Sequence, residues 1–363
     1  MKTGLNHAVR VTVAALSIVL GLGVDAPAAA QCPGDLTGNG LVNGADLGLV
    51  LAAWASDGTD EPGSDVNQDG IVNGADLAFV LGAWGPCVTT PAWATLIEPF
   101  PDPAVVTDPA LRAAISATGL AWRVKDTATQ IEFVLIPPGS FQMGCSASQQ
   151  WGCSSNESPV HTVTLTNAFY MGRYEVTQAQ WQARMGSNPS AFQSASAEVP
   201  AAQVPNRPVE RVSWNTVQGF LTQTGMRLPT EAEWEYAYRA GTTTAFHGFT
   251  GYLSGTNDDN LLGNMAWFGS NSNSQTRPVG GKLGNDYGLH DMSGNVYEWV
   301  NDWYGVYAAG AQVDPSGPAT GSLRVFRGGR WSNYSTYCRA SIRFGMNPNG
   351  AYDVIGFRAA RTP

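Results

Sequence analysis

Two short apolar stripes recur along the N-terminal part of the chain. Leu47, Val50, Leu51 and Trp54 fall at i, i+3, i+4 and i+7, and Leu77, Val80, Leu81 and Trp84 repeat the spacing. This pattern predicts two short helices, each with one apolar face, packed against each other. Further on, the run Ile131 to Ile136 predicts a buried strand that opens a larger domain. Thr230-Glu-Ala-Glu233 reads as a capping box, followed by Trp234, Ala237 and Tyr238 on one helical face and a stop at Gly241. Between the two parts, Val88 to Pro109 is rich in Pro, Thr and Ala and has no period, so residues 88–125 are expected to be a linker. It should hold one short helix, capped by Thr107 or Asp108, with Pro109 in its first turn, running to Ala117 and stopping at Gly119. The remainder, rich in Gly, Trp and Asn, predicts an irregular, loop-heavy α+β domain over residues 126–363.

The first thirty residues belong to neither part. Lys2 and Arg10 give a positive start, Val11 to Val24 are mostly apolar, and Ala28-Ala29-Ala30 supplies small residues for cleavage. Residues 1–30 are therefore expected to be a signal peptide, with a single-pass anchor as the alternative. Gln31 before Cys32 does not suit lipid attachment, and no later stretch is apolar enough to span a bilayer. The expected product is secreted, extracellular or attached to the cell surface. Its cleavage takes the net charge from −9 to −10, because Lys2 and Arg10 leave with a single Asp25. That balance argues against nucleic acid, which needs a Lys/Arg stripe. Five cysteines remain, and an exported chain pairs them. Cys32 with Cys87 and Cys145 with Cys153 are the expected disulfides, leaving Cys338 free.

The helical stripes follow an internal repeat. Asp35-Leu-Thr-Gly-Asn-Gly-Leu-Val-Asn-Gly-Ala-Asp46 recurs as Asp65-Val-Asn-Gln-Asp-Gly-Ile-Val-Asn-Gly-Ala-Asp76. A calcium loop needs about six or more oxygen ligands and a residue free to adopt a strained backbone. Asp35, Thr37, Asn39, Asn43 and Asp46 offer oxygens at positions 1, 3, 5, 9 and 12, with Gly40 at 6. Asp65, Asn67, Asp69, Asn73 and Asp76, with Gly70, repeat the set. Residues 31–87 resemble a type I dockerin, a small all-α module of duplicated EF-hand-like units. The resemblance implies bound Ca2+ and docking onto a cohesin-like module. Dockerins commonly use hydroxyl residues at positions 10 and 11, whereas this chain has Gly44-Ala45 and Gly74-Ala75, so the usual mode of cohesin recognition does not carry over.

Across the larger part, a series of segments resembles the formylglycine-generating-enzyme (sulfatase-modifying-factor) family in the family's order. They are Ile136-Pro-Pro-Gly-Ser-Phe-Gln-Met-Gly144, Tyr174-Glu-Val-Thr177, Pro208-Val-Glu-Arg-Val-Ser-Trp214 and Arg227-Leu-Pro-Thr-Glu-Ala-Glu-Trp-Glu-Tyr-Ala237. Tyr287-Gly-Leu-His-Asp-Met-Ser-Gly-Asn-Val-Tyr-Glu-Trp299, Phe326-Arg-Gly-Gly329 and Gly356-Phe-Arg358 complete the series. The resemblance implies a modified C-type-lectin-like fold and a structural calcium held by Asn295 and Glu298, for which a buried hydrogen-bonded pair is the alternative. It also implies catalysis by two cysteines that bind copper and oxidise a substrate cysteine to formylglycine. Counted from Gly329, those positions fall on Asn333 and Cys338, so the first thiol is absent and only Cys338 is left as a catalytic candidate. Two thiolates suit Cu(I), and one thiolate beside an amide does not, which argues against copper. The leading expectation is a non-catalytic module that binds a glycan or protein within an extracellular assembly. The alternatives are a divergent copper-dependent oxidase acting on sulfatase cysteines and a calcium-stabilised structural surface component.

Overall fold

A computed structural model describes residue 32 and residues 34–37, 41–61, 63–149, 152–249, 252 and 254–363. The expected signal peptide, Asn39 and Gly40 lie outside the described residues.

In the N-terminal module, strand β1 (Leu41–Val42) leads into helix α1 (Gly44–Ala52); helix α2 (Gly74–Gly82) leads into β2 (Gly85–Pro86). β1 and β2 pair antiparallel, bringing the ends of the repeat together, where Cys32 and Cys87 form a disulfide with Cα atoms 5.6 Å apart. Val42, Val50, Ala53, Val72 and Val80 fill the small core. The predicted apolar stripes are only half used. Val50 and Val80 are buried and Leu47 and Leu77 partly so, while Leu51, Trp54, Leu81 and Trp84 are each about half exposed. For the tryptophans the reason is geometric: both helices end before them, so the i+7 position leaves the helical face, whereas Leu51 and Leu81 lie within the helices and face outward.

Residues 88–125 depart from the linker expectation. Helix α3 (Pro109–Ser116) forms with Asp108 as its cap, accepting from the Ala110 N–H, and Gly119 follows it at φ +67°. Around it, however, the segment is built into the large domain. β3 (Ala94–Glu98) pairs antiparallel with β4 (Arg123–Asp126), and Val106, Ile115 and Trp122 are buried in the main core. β3 is an edge strand without alternating burial, so its sequence carries no period-two signal.

The sheet continues through β5 (Glu132–Ile136), the expected buried strand, to β8 (Phe169–Gly172) and β16 (Ala360–Arg361), in the order β16-β8-β5-β4-β3. β6 (Gly139–Met143), β7 (His161–Leu165) and β12 (Gln312–Val313) form a second sheet in the order β12-β7-β6. A third has the order β14-β13-β11-β15, from β11 (Tyr297–Trp303), β13 (Arg324–Arg327), β14 (Phe344–Met346) and β15 (Ile355–Phe357). A two-residue ladder joins β9 (Ala266–Trp267) to β10 (Ser293–Gly294). Helices α4 (Gln178–Met185), α5 (Trp214–Thr224) and α6 (Glu231–Arg239) pack among them. Cys145 and Cys153 are disulfide-bonded and Cys338 is free.

Helix α6 starts on the predicted capping box: the Thr230 side chain accepts from the Glu233 N–H, and Glu233 accepts from the Thr230 N–H. Trp234, Ala237 and Tyr238 are fully buried. The helix ends one residue earlier than expected, at Ala240 in the left-handed region, followed by Gly241. The recurrent motifs meet here through buried ion pairs. Arg327 of Phe326-Arg-Gly-Gly bonds Glu235 of α6, and Arg358 of Gly-Phe-Arg bonds Glu298 of β11 at 2.7 Å. Each arginine also donates to backbone carbonyls, so both charges are paired, although Arg327 Nε keeps no partner. These motifs are the girders of the domain.

Candidate functional site

In the repeat, loop residues and helix caps are the same residues. Asn43 and Asn73 are the N-caps of α1 and α2, each accepting from the N–H two residues on (Ala45, Ala75) at 2.8 Å. Asp46 and Asp76 occupy N3 and accept from the N–H of Asn43 and Asn73, also at 2.8 Å. Sequence reading assigned all four to ligation; the capping box explains their spacing as well. Across each loop, Asp46 accepts from the Thr37 N–H at 2.9 Å and Asp76 from the Asn67 N–H at 3.1 Å. Burial works against the charge of Asp46, but hydrogen bonds from Thr37 and Asn43 outweigh it and hold the carboxyl below its usual range. Asp76 is held low in the same way. In the second loop, Asp65 accepts from the N–H groups of Asp69 and Gly70 (3.1 and 2.9 Å), and Asn67 donates to Asp69 (2.9 Å). Gly70 sits at φ +89°, the left-handed conformation expected of position 6. Asp35 and Thr37 are joined at 3.4 Å in the first loop.

In the large domain, the residues that follow Gly329 form a loop and a short 3-10 turn over Ser335–Cys338. Gly329 has φ +81°, and a Cβ there would lie 2.7 Å from the Cys338 sulfur, so glycine is what lets the loop close on the cysteine. Cys338 has no solvent exposure and packs with Ala245, Phe246, Phe249, Leu262, Met265 and Phe268. Burial pushes its thiol up to about 12. This is the environment of an inert structural cysteine, not of a thiolate ligand or nucleophile. Asn333 is buried beside it, with its carbonyl accepting from the Gly269 N–H at 2.8 Å. An amide and a neutral buried thiol do not fit a copper ion.

Three tyrosines on the surrounding loops are exposed. Tyr334 is 81% exposed, Tyr352 56% and Tyr337 39%. The Trp331 indole N–H donates to the Asp353 carbonyl at 3.1 Å, fixing the Tyr352 loop beside residues 330–334. The Tyr337 ring lies 6.0 Å from Phe344, which contacts Tyr297, and the Arg330 guanidinium stands 5.7 Å from the Tyr297 ring. Arg330 Nε and Asn333 Oδ1 are buried there without a hydrogen-bond partner. Sequence reading missed these tyrosines. Their signal was available as aromatic residues in a segment otherwise rich in Ser, Asn and Gly.

Asn295 and Glu298 do not face each other as a ligand pair. Glu298 accepts from Arg358 and, at 2.7 Å, from the Trp234 indole N–H. Asn295 donates to Glu175 at 2.6 Å and accepts from the Arg277 N–H at 2.9 Å. The structure adds two carboxyls that sequence did not single out, Glu175 and Asp291. Burial, then Asp291 and Glu298, push the Glu175 carboxyl well up; burial is also what raises Asp291. Asp291 Oδ1 has no partner. Three buried carboxyls thus share Arg358, an excess of negative charge that suits a hard cation with oxygen ligands. Among the described residues, no three Asp, Glu, His or Cys side chains are gathered closely enough to hold an ion as they stand.

A duplicated loop-helix module followed by an irregular α+β domain tied by buried Arg–Glu pairs defines the class: a dockerin joined to a C-type-lectin-like domain of the formylglycine-generating type. The chain belongs to the sulfatase-modifying factor enzyme 1-like family, whose domain matches residues 120–363, and a dockerin type I domain matches residues 33–82. It is similar to the formylglycine-generating enzyme of Streptomyces coelicolor, 31% identical over 304 residues covering 68% of this chain and 94% of that protein. It is 33% identical over 250 residues to the serine/threonine-protein kinase pkn1 of Chlamydia caviae, covering 63% of this chain but only 38% of the kinase. Among solved structures, Treponema denticola variable protein 1 has a TM-score of 0.57 at 32% identity, covering 65% of this chain and 98% of that one. PvdO from Pseudomonas aeruginosa gives 0.53 at 29%, covering 66% and 98%.

Proposed function

We propose that this chain is an exported, non-catalytic binding protein, in which the large domain holds a glycan or protein ligand and the dockerin tethers it to an assembly. The observation that carries the reading is the inversion at the family's catalytic position: Cys338 is sealed and neutral, while Tyr334, Tyr337 and Tyr352 stand exposed on the surrounding loops. Tyrosines give large amphipathic contact area at low entropy cost, which suits a glycan or protein surface. Calcium fits the two dockerin loops, held by Asp35, Thr37, Asn39 and Asp46 and by Asp65, Asn67, Asp69 and Asp76, with Asn43 and Asn73 acting through the caps. A further ion in the large domain would draw on Glu175 and Asp291 alongside the Asn295 and Glu298 segment. Calcium there supplies charge neutralisation and rigidity.

The partner of the dockerin is a cohesin-like module. The half-exposed Leu51, Trp54, Leu81 and Trp84 support an apolar contact in place of the missing hydroxyls. The test of the reading is binding of the secreted chain to a glycan array and to a displayed library of extracellular proteins. Ligands should be retained by the wild type and lost by Tyr334→Ser/Tyr337→Ser, whose exposed positions leave the fold intact. Unchanged binding by the double variant would remove this surface from the function.

A further inference from the structure

We propose that the cavity bounded by the N-terminus of α6, the end of β11 and the 305–318 loop is a second ligand site, shaped for the ring of a neutral sugar. Its volume is ≈ 330 Å³, and it shares no residue with the tyrosine surface. That size falls in the range of about 300–1,000 Å³ typical of small-molecule sites.

The cavity is built before any ligand arrives. β12 lies parallel to β7, and Asp314 accepts from the Thr166 N–H at 2.8 Å, anchoring the far end of the loop. Arg343 donates to the Gly305 carbonyl at 2.7 Å and anchors the near end.

Its ionised groups cancel. Both Glu231 oxygens accept from Arg343, at 2.7 and 2.6 Å, and Arg327 stands 3.4 Å from one of them. A charged ligand would therefore face an opposed like charge at close range. Several polar atoms of the lining remain unused by the protein, among them the Ser316 hydroxyl and the Gln312 Oε1. Asp302 accepts from the Glu231 N–H at 2.8 Å through Oδ2, while its Oδ1 has no partner. The His161 Nδ1 lies 3.0 Å from the Pro159 carbonyl, which leaves Nε2 as the ring atom open to a ligand. Burial and the neighbouring Glu231 push the Asp302 carboxyl up to about 8, which makes it a donor at neutral pH. The cavity thus offers a donor at Asp302, acceptors such as Gln312 Oε1 and the Ser316 hydroxyl, and the aromatic walls of Tyr307 and Trp303. A sugar ring matches all three: hydroxyls that donate and accept, and an apolar C–H face for the rings.

The test is titration of the whole exported chain, selectively labelled on its methionine methyls, with glucose, galactose, mannose and N-acetylglucosamine. Glucuronate, glucosamine and glycerol serve as charged and acyclic controls. At least one neutral sugar should saturate with a Kd of about 1 mM and shift the Met143 methyl resonance, which reports from the cavity wall. Affinity should fall about tenfold or more in Asp302→Leu and persist in Asp302→Asn, which keeps a neutral donor. Because Asp302→Leu risks misfolding, Ala308→Trp at the exposed rim provides an independent block. Saturable sugar binding that survives Ala308→Trp, no binding up to about 50 mM, or a preference for a charged control would overturn the proposal. Tyr334→Ser should leave this binding unchanged, which separates failure of this site from failure of the tyrosine surface.

Discussion

Cys338 is the residue on which the non-catalytic reading turns. The sulfur is enclosed by aromatic and aliphatic side chains, and burial keeps the thiol protonated. A thiol reagent at pH 8 should label nothing in the native protein, whereas guanidinium unfolding should release a single reactive thiol per chain. Mass spectrometry reads both states, and native labelling at Cys338 would show the pocket open. Asp302 provides a second single-residue test. Burial, with the neighbouring Glu231, pushes its carboxyl up to about 8, far above the ordinary aspartate value. Its contribution to stability is therefore full below about pH 4 and is lost as pH rises through about 8. Asp302→Asn removes this dependence, so above pH 8 the variant should be more stable than wild type by roughly 3–5 kcal/mol, with little difference at pH 4. Denaturant titrations at the two pH values check it; a constant difference would place Asp302 in a more polar setting. Counting from Gly329 puts Asn333 at the expected place of the first catalytic cysteine, and the structure places it buried beside Cys338. The burial of Cys338 was not legible in the sequence, because the residues that cover it come from 245–268, distant in sequence.

Among the elements, the two calcium-loop helices and α6 were readable because their signals are local. Capping boxes and apolar spacing each lie within one turn or two, and the structure places α1, α2 and α6 on those residues. The same locality gives Asn43 and Asn73 two readings, calcium ligand and helix cap, and the structure shows them capping α1 and α2. Asn73→Ala should cost the module about 1 kcal/mol with or without calcium, whereas Asp65→Ala should weaken it only when calcium is present. Thermal unfolding of the two variants in calcium and in chelator distinguishes them, and an Asn73→Ala penalty confined to calcium would make Asn73 a direct ligand. Strand β3 was illegible for the opposite reason. As an edge strand it alternates neither in burial nor in polarity, and its partner β4 follows only after α3. A stretch rich in Pro and Thr therefore read as linker although its neighbours Val106 and Trp122 are core residues.

At the scale of the whole molecule, the chain joins a small module with its own disulfide and core to a large domain with a separate core. The order of the motifs revealed that plan, because the buried Arg–Glu girders connect one motif to another. Sites assembled from scattered positions stayed hidden: Glu175 with Asp291, the exposed tyrosines, and the cavity at Asp302. All three depend on folding rather than on spacing. The proposed reading unites the large domain's features as a family scaffold in which the position of the catalytic thiols is buried. The most direct test is oxygen uptake by the copper-supplemented chain in the presence of a cysteine-containing sulfatase peptide. The peptide should be recovered with its thiol unconverted, and oxygen consumption should not exceed that of copper without the protein. Formylglycine in the recovered peptide, formed in proportion to the protein added, would contradict the account.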